Sequence, residues 1–286
     1  MSKVKESTHS PIDANQKRAY FVRLGLQARR ELSLHREVGL WKRVDGKRDW
    51  GNVSEHCLVE VARASVLSDA LGLPQRTKEG LMRAAALHDF YKKREREILE
   101  ARGLSWEAYD ESEKEAKAKL KDAHFSRRVN SLAAGSTGHS SLMETEKLLA
   151  KKKLIPDEVA FLAMHYIDDY TVNAEWVTPA KEASNGKTTN DLDTRMERNR
   201  ANQRYKNINE EGLVHIGERA YDAQQRIGHL VEERLTSLIQ ANTGKQIDPI
   251  RLPEFIDEGV KNAISNYPQV PVFSELYMEY LNYFCE

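Results

Sequence analysis

Cysteine is nearly missing: the 286-residue chain has two, Cys57 and Cys285. Two distant thiols make neither a disulfide framework nor a cysteine-rich zinc site. Any metal centre must therefore be built from histidines and carboxylates. Proline and glycine are sparse, at 8 and 15 residues, so helices meet few interruptions. Neither sign of charge is in excess, with 44 Lys+Arg against 44 Asp+Glu and an isoelectric point of about 7.1. That balance argues against a chain-wide nucleic-acid binder, because such domains are usually basic. Long apolar runs are also lacking. Mean hydropathy is −0.67, and no stretch approaches the ~20 apolar residues of a membrane span. The leading residues MSKVKESTHSPIDANQKR hold no apolar segment of the secretory-signal kind. These absences lead to the expectation of a cytoplasmic protein with reduced thiols and no membrane partner.

What is present is helix-forming. Hydrophobic residues make up 40% of the chain, enough for a core. Between the few breakers run segments rich in Ala, Leu, Glu, Lys and Arg, and alternating strand patterns are scarce, so the expected fold class is all-α. Residues 1–13 read as a mobile tail. A helix is expected over 14–37, where Tyr20, Leu24, Ala28 and Leu32 recur every four residues. Trp41 and Trp50 flank a basic turn. The next helix is expected from Ser54, as N-cap, to Leu71, before Gly72 and Pro74. Another is expected from Gln75 through RTKEGLMRAAALHDF. Residues 92–122 hold nine basic and nine acidic residues and read as a solvated helical hairpin or lid. Residues 130–138 and 178–190 read as loops, with helices at 140–152 and 156–172 between them, and NDLDTRMERNRANQRY as a short Asp-capped helix. A long helix is expected over 210–241, where Leu213, Ile216, Ala220, Ala223, Ile227 and Leu230 form a heptad-like stripe. That stripe suits either core packing or a homo-oligomer contact. The composition divides the chain into a tail and basic helix (1–49), a helical domain (50–243) with an insertion at about 92–130, and a C-terminal helical extension (244–286).

The residues that carry chemistry are His56, the pair His88–Asp89 and the acidic end of HYIDDY, all on or at the ends of expected core helices. Ala84–Leu87 precede His88–Asp89 and place an imidazole and a carboxylate at the end of a buried helix. A buried carboxylate needs a counter-charge, which a divalent cation supplies. Adjacent helical residues point about 100° apart, so both reach one ion only where the helix ends or packs closely.

His56, then His88–Asp89, then an Asp on a later helix resembles the H…HD…D signature of the HD-domain metal-dependent phosphohydrolase superfamily. EHCLVEVARASVLSDALGL is similar to that family's first ligand helix. LMRAAALHDFYK is similar to its second, including the lysine three residues past the Asp, here Lys92. GHSSLMETEKLLAKKKLIPDEVAFLAMHYIDDY resembles the helix pair that follows. The resemblance covers about residues 50–205, with 92–130 standing as the insertion. It implies an HD-domain-like helical bundle holding a divalent metal, with ligands His56, His88, Asp89 and one of Asp168 or Asp169. Asp168 is favoured because HYID resembles the family's final-ligand motif. Asp169 lies one turn from His165 on the same face. Asp191 or Asp193 takes that place if His165 itself faces the metal. His139 and His165 lie in the interval where some HD proteins add ligands for a second metal.

The resemblance implies hydrolysis of a nucleotide or related small phosphoester by a metal-activated water. Two histidines and two carboxylates suit Mn, Fe, Co, Ni or Zn better than Ca, with Mg also admitted. Lys92, and Arg127 or Arg128, would offset phosphate charge. His139 or His165 would orient substrate or move protons. Arg195 would face the pocket; Arg195, Arg198 and Arg200 cannot all lie on one helix face. Two other readings remain: an HD-type di-iron oxygenase, or a non-catalytic HD-like module for a protein or nucleic-acid partner. The second draws on residues 1–50, with 12 basic against 6 acidic residues.

Overall fold

The computed structural model describes residues 12, 14–40, 43–44, 47–48, 53–136, 141–172, 174, 176 and 191–268. Among them the fold is all-helical apart from one two-residue strand pairing. Thirteen α-helices follow in order. They are α1 Ala14–Gln27, α2 Arg29–Glu37, α3 Val53–Ala70, α4 Gln75–Ala85, α5 Lys92–Arg102, α6 Trp106–Asp122 and α7 Arg127–Gly135. Then come α8 Ser141–Leu149, α9 Pro156–Tyr170, α10 Leu192–Ala201, α11 Lys206–His215, α12 Ala220–Thr243 and α13 Leu252–Ser265. The basic turn of the sequence is a small antiparallel hairpin, β1 Arg43–Val44 with β2 Lys47–Arg48. The expected tail (1–13) and the loop at 178–190 lie outside the described residues, Ile12 excepted.

Two helices form the centre. On α3, Leu58, Val59, Ala62, Ala64 and Leu67 are buried, so between 58 and 67 no side of the helix is open to solvent. On α9 the run from Val159 through Ile167 is buried throughout. Each fully buried Leu or Ile here contributes about 1.5–3 kcal/mol relative to exposure. Helices α4, α9 and α13 pack against α3, and α4, α7 and α12 pack against α9. Leu252, Ile256, Val260 and Ile264 of α13 join the same core as Phe21 and Leu24 of α1.

Six expected elements differ. The helix expected over 14–37 breaks at Ala28 into α1 and α2, and the one expected from Gln75 through Phe90 ends at Ala85. Ser54 does not cap α3, which begins at Val53; its hydroxyl instead meets His35 Nδ1 at 2.8 Å. Residues 130–135 are not a loop but the body of α7, capped by Ser126 and buried through Val129, Leu132, Ala133 and Ala134. Their small side chains let α7 lie close on α4, a tertiary gain that composition does not register. The 92–122 segment is a helical hairpin, yet it is not merely solvated. Ile98, Leu99 and Ala108 form a small cluster, Trp106 packs with Ile208 and Ala220, and Leu120 enters the main core. The expected 210–241 helix is broken into α11 and α12, with Gly217 at φ +79° between them. Leu213 and Leu230 are exposed, whereas Ala220, Ala223 and Ile227 pack on the chain's own core.

Candidate metal centre

Three elements converge to build the site. Helix α3 carries His56 and Glu60 one turn apart. Helix α4 ends at Ala85, so His88 and Asp89 sit in the turn before α5, where adjacent residues are freed from the 100° helical divergence. Helix α9 brings Asp168 near its C-terminal end, the end of a helix dipole that favours a cation.

The imidazole rings of His56 and His88 lie 5.2 Å apart. Glu60 sits between them, with Oε1 3.1 Å from His56 Nε2 and Oε2 2.9 Å from His88 Nδ1. The His88 Nδ1 proton goes to the Ala85 carbonyl at 2.9 Å. In the neutral ring, the form that binds metal, that bond leaves Nε2 as the lone-pair nitrogen, an arrangement that orients metal-binding histidines. His88 Nε2 faces Asp89 Oδ2 at 3.7 Å and Asp168 Oδ1 at 3.8 Å. His56 Nε2 is 3.9 Å from Asp89 Oδ2. These separations are too long for hydrogen bonds but suit ligands sharing one ion. One ligand atom from each of His56, Glu60, His88 and Asp168 falls within a common span of 4.8 Å.

The donor chemistry fits a cation. His88 Nε2 is buried without a hydrogen-bond partner, and the buried Glu60 oxygens meet the two imidazole nitrogens; a buried group of acceptors calls for a positive partner. The electrostatics agree. Burial opposes charge on Glu60, but the neighbouring His88 and His56 imidazoles outweigh it and hold the carboxyl down at about 2. Burial likewise resists charging His88, and Glu60, Cys57 and Asp89 reverse this and push it well above its ordinary value. Asp89 is held far below the usual carboxylate range: burial opposes its charge, and Lys92, His88 and His56 more than offset that. Glu60, Asp89 and Asp168 bring three carboxylates together with two imidazoles, and this buried group of His and Asp/Glu residues can hold a metal ion.

A cavity of about 210 Å³ opens beside the cluster and takes in His88, Asp89 and Asp168. One wall is the α5–α6 hairpin, through Lys92, Glu95, Trp106 and Tyr109; the other is α10–α12, through Arg195, Tyr205 and Tyr221. Lys92 Nζ lies 3.4 Å from Asp89 Oδ1 and 3.1 Å from Glu95 Oε1. Desolvation works against the Lys92 charge, and Asp89 and Glu95 hold it well above the ordinary lysine value. Arg195 Nη2 is 3.6 Å from Asp168 Oδ1, and its Nη1 donates to the carbonyls of Asp168 and Thr171.

Of the residues singled out from sequence, His56, His88, Asp89, Asp168 and Lys92 meet here, with Arg195 at the rim. Asp169 does not. It is buried, turned to His165 Nε2 (3.3 Å) and to the Gln224 amide, and burial pushes its carboxyl up to about 6. His165 is also fully buried: Nδ1 donates to the Ser136 carbonyl at 3.0 Å and lies 3.1 Å from Ser141 Oγ. Neither residue lines the cavity. Asp191 caps α10 by accepting from the Thr194 amide at 2.7 Å, and Asp193 faces His229 Nε2 at 2.9 Å. Arg200 pairs with Asp222. Arg127 and Arg128 line a different groove. His139 lies outside the described residues. Glu60 was missed in the sequence, although its place four residues after His56 is the signal that finds it. The aromatic wall of Trp106, Tyr109, Tyr205 and Tyr221 has no local motif.

Comparison with protein-family models, with curated proteins and with solved structures yields no match. Among the described residues, no helix is long and apolar enough to cross a membrane.

Proposed function

We propose that this chain is a metal-dependent phosphohydrolase with an HD-type core, acting on a nucleotide or related small phosphoester. The observation that carries the reading is the meeting of His56, His88, Asp89 and Asp168 at the edge of a cavity, with His88 Nε2 buried and unpartnered among them. These are the residues of the H…HD…D pattern, and they come from three separate segments. His56 Nε2, His88 Nε2 and the facing oxygens of Asp89 and Asp168 would hold a divalent ion, with Glu60 beneath them. The chemistry such an ion supplies is charge neutralisation at a phosphate oxygen and a lowered pKa for a water nucleophile.

The rest falls to the chain's own side chains. Lys92 and Arg195 flank the cluster, so a phosphate group entering the cavity meets a cation on either wall. Asp89 and Asp168 anchor those cations and keep them pointed inward. The aromatic faces of Tyr109, Tyr205 and Tyr221 suit a planar ring attached to the phosphate. Hydrolysis then breaks one P–O ester bond, with water adding its oxygen to phosphorus and its proton leaving with the alcohol.

The test is metal identification on the purified protein, followed by a hydrolysis screen over nucleotides, cyclic nucleotides and small phosphoesters. One bound ion and phosphoester hydrolysis are expected, both lost in the His88→Ala/Asp89→Ala double variant. Full metal occupancy in that variant would sink the reading. Two irons with oxygen consumption would replace it with an oxygenase, and absence of any metal would leave a non-catalytic module.

A further inference from the structure

A second concavity, of about 510 Å³, lies between α4 and α7. Four arginines line it: Arg76 and Arg83 from α4, and Arg127 and Arg128 from α7. Two are committed. Arg83 Nε pairs with the buried Glu31 at 2.6 Å, and Arg128 Nε lies 2.9 Å from Asp157 Oδ1 while its Nη1 donates to the Arg76 carbonyl. The other two, Arg76 and Arg127, are exposed, and among the described residues neither guanidinium has an acidic partner.

The groove is shaped for this arrangement. Gly80 sits under Arg128, and a Cβ there would come within 2.7 Å of Arg128 Cδ. The missing side chain lets Arg128 lie flat across α4. Arg127 and Arg128 also open α7, whose Ser126 cap takes only the Val129 amide. The first amides of that helix thus add their partial positive charge to the guanidinium groups.

We infer that this groove is a second binding site, for a compact phosphate-bearing small molecule. Planar guanidinium forks match the oxygens of a phosphate, and a helix N-terminus favours the same charge. The scale points to a small ligand. Glu79 and Asp157 also line the groove and Glu31 pairs with Arg83, so four arginines stand against three carboxylates and leave one positive charge in excess. Those carboxylates interrupt any continuous track for a nucleic-acid backbone, and the chain as a whole is neutral. The inference stands apart from the hydrolase reading, because none of the four arginines touches the metal cluster.

The probe is inorganic pyrophosphate, titrated calorimetrically into the 286-residue chain, an Arg76→Ala/Arg127→Ala variant and the His88→Ala/Asp89→Ala variant. Circular dichroism melts check folding; both arginines are exposed, so the first variant keeps its fold. Removing two charge-assisted contacts should weaken pyrophosphate binding about tenfold or more, while the His88→Ala/Asp89→Ala variant binds as the parent chain does. Unchanged affinity in the arginine variant would overturn the inference. So would binding lost only with His88 and Asp89, since the anion then sits in the first cavity. A single-stranded RNA oligonucleotide serves as the last arm. If the arginine variant loses affinity for RNA while pyrophosphate binds no form of the chain, the groove belongs to nucleic acid and the small-molecule inference fails.

Discussion

Glu60 puts one carboxylate between two imidazoles, so its charge sets the potential of the whole cluster. Replacing it with Gln keeps the shape and removes the charge. Divalent-ion affinity, measured by calorimetric titration, should fall about 10–100-fold, as expected for loss of a group that supports metal ligands. An affinity equal to the parent's would remove Glu60 from the site. His35 offers a second test. It is fully buried, its Nε2–H donates to the Ala86 carbonyl at 2.8 Å, and burial lowers its pKa to about 4. Above pH 6.5 the ring is neutral folded or unfolded. As pH falls toward 4, the unfolded chain takes up a proton that the folded one refuses, so stability drops, by about 3 kcal/mol in full. Asp169, raised to about 6, acts oppositely: it favours the folded state at low pH and loses that contribution as pH rises from 4 toward 6. Stability curves of the parent chain and His35→Gln therefore have to be subtracted. A difference that is flat between pH 7 and 4 would reject the assignment. At this scale the meeting of His56, His88, Asp89 and Asp168 was legible, because an Ala/Leu run marks a buried helix and places the His–Asp pair at its end. The choice between Asp168 and Asp169 had no such signal. Helix α9 is buried on nearly every side, so hydrophobic periodicity could not say which aspartate turned toward His88.

The α5–α6 hairpin is tied down at its tip. Trp106 Nε1 donates to the Ile208 carbonyl at 3.1 Å, its ring stacks on His215 at 4.7 Å, and its amide donates to Glu211. Trp106→Ala should release the tip without unfolding α3 or α9. Hydrogen exchange is then expected to speed up across 92–122 and stay unchanged over 58–67; uniform acceleration would show that the hairpin is no separate unit. The junction of α11 and α12 is tighter. A Cβ on Gly212 would lie 2.4 Å from the Ala220 backbone nitrogen and 2.6 Å from the Glu218 carbonyl oxygen. Backbone cannot step aside as a side chain can, so Gly212→Ala should destabilise by about 1–3 kcal/mol in urea titration. The helices themselves were readable from composition. Their partners were not: Ala133 and Ala134 looked like loop residues, and a charged hairpin looked solvated, because the sequence shows what each segment is and not what lies against it.

Across the whole molecule, Arg63 joins parts that are far apart in the chain. It is fully buried on α3, bonds Asp257 of α13 at 3.0 Å, bonds Thr171 just past α9, and lies over the Tyr170 ring at 4.5 Å. Asp257→Asn would leave that cation without its counter-charge. A loss of about 3 kcal/mol is expected, the low end for a broken buried pair, since Asp257 is 20% exposed. A urea midpoint that does not move would mean Thr171 and Tyr170 suffice. Nothing local in VARASV or in PEFIDEG announces this bond, which is why the last helix read from sequence as an appendage. Its partners stand 194 residues apart, and that separation has a consequence during synthesis. At about 5–20 residues per second, Asp257 leaves the peptidyl-transferase centre roughly 10–40 s after Arg63. Throughout that interval Arg63 lacks the Asp257 carboxylate, so the pairing that ties α3 to α13 forms only after residue 257 has been added and freed from the ribosome.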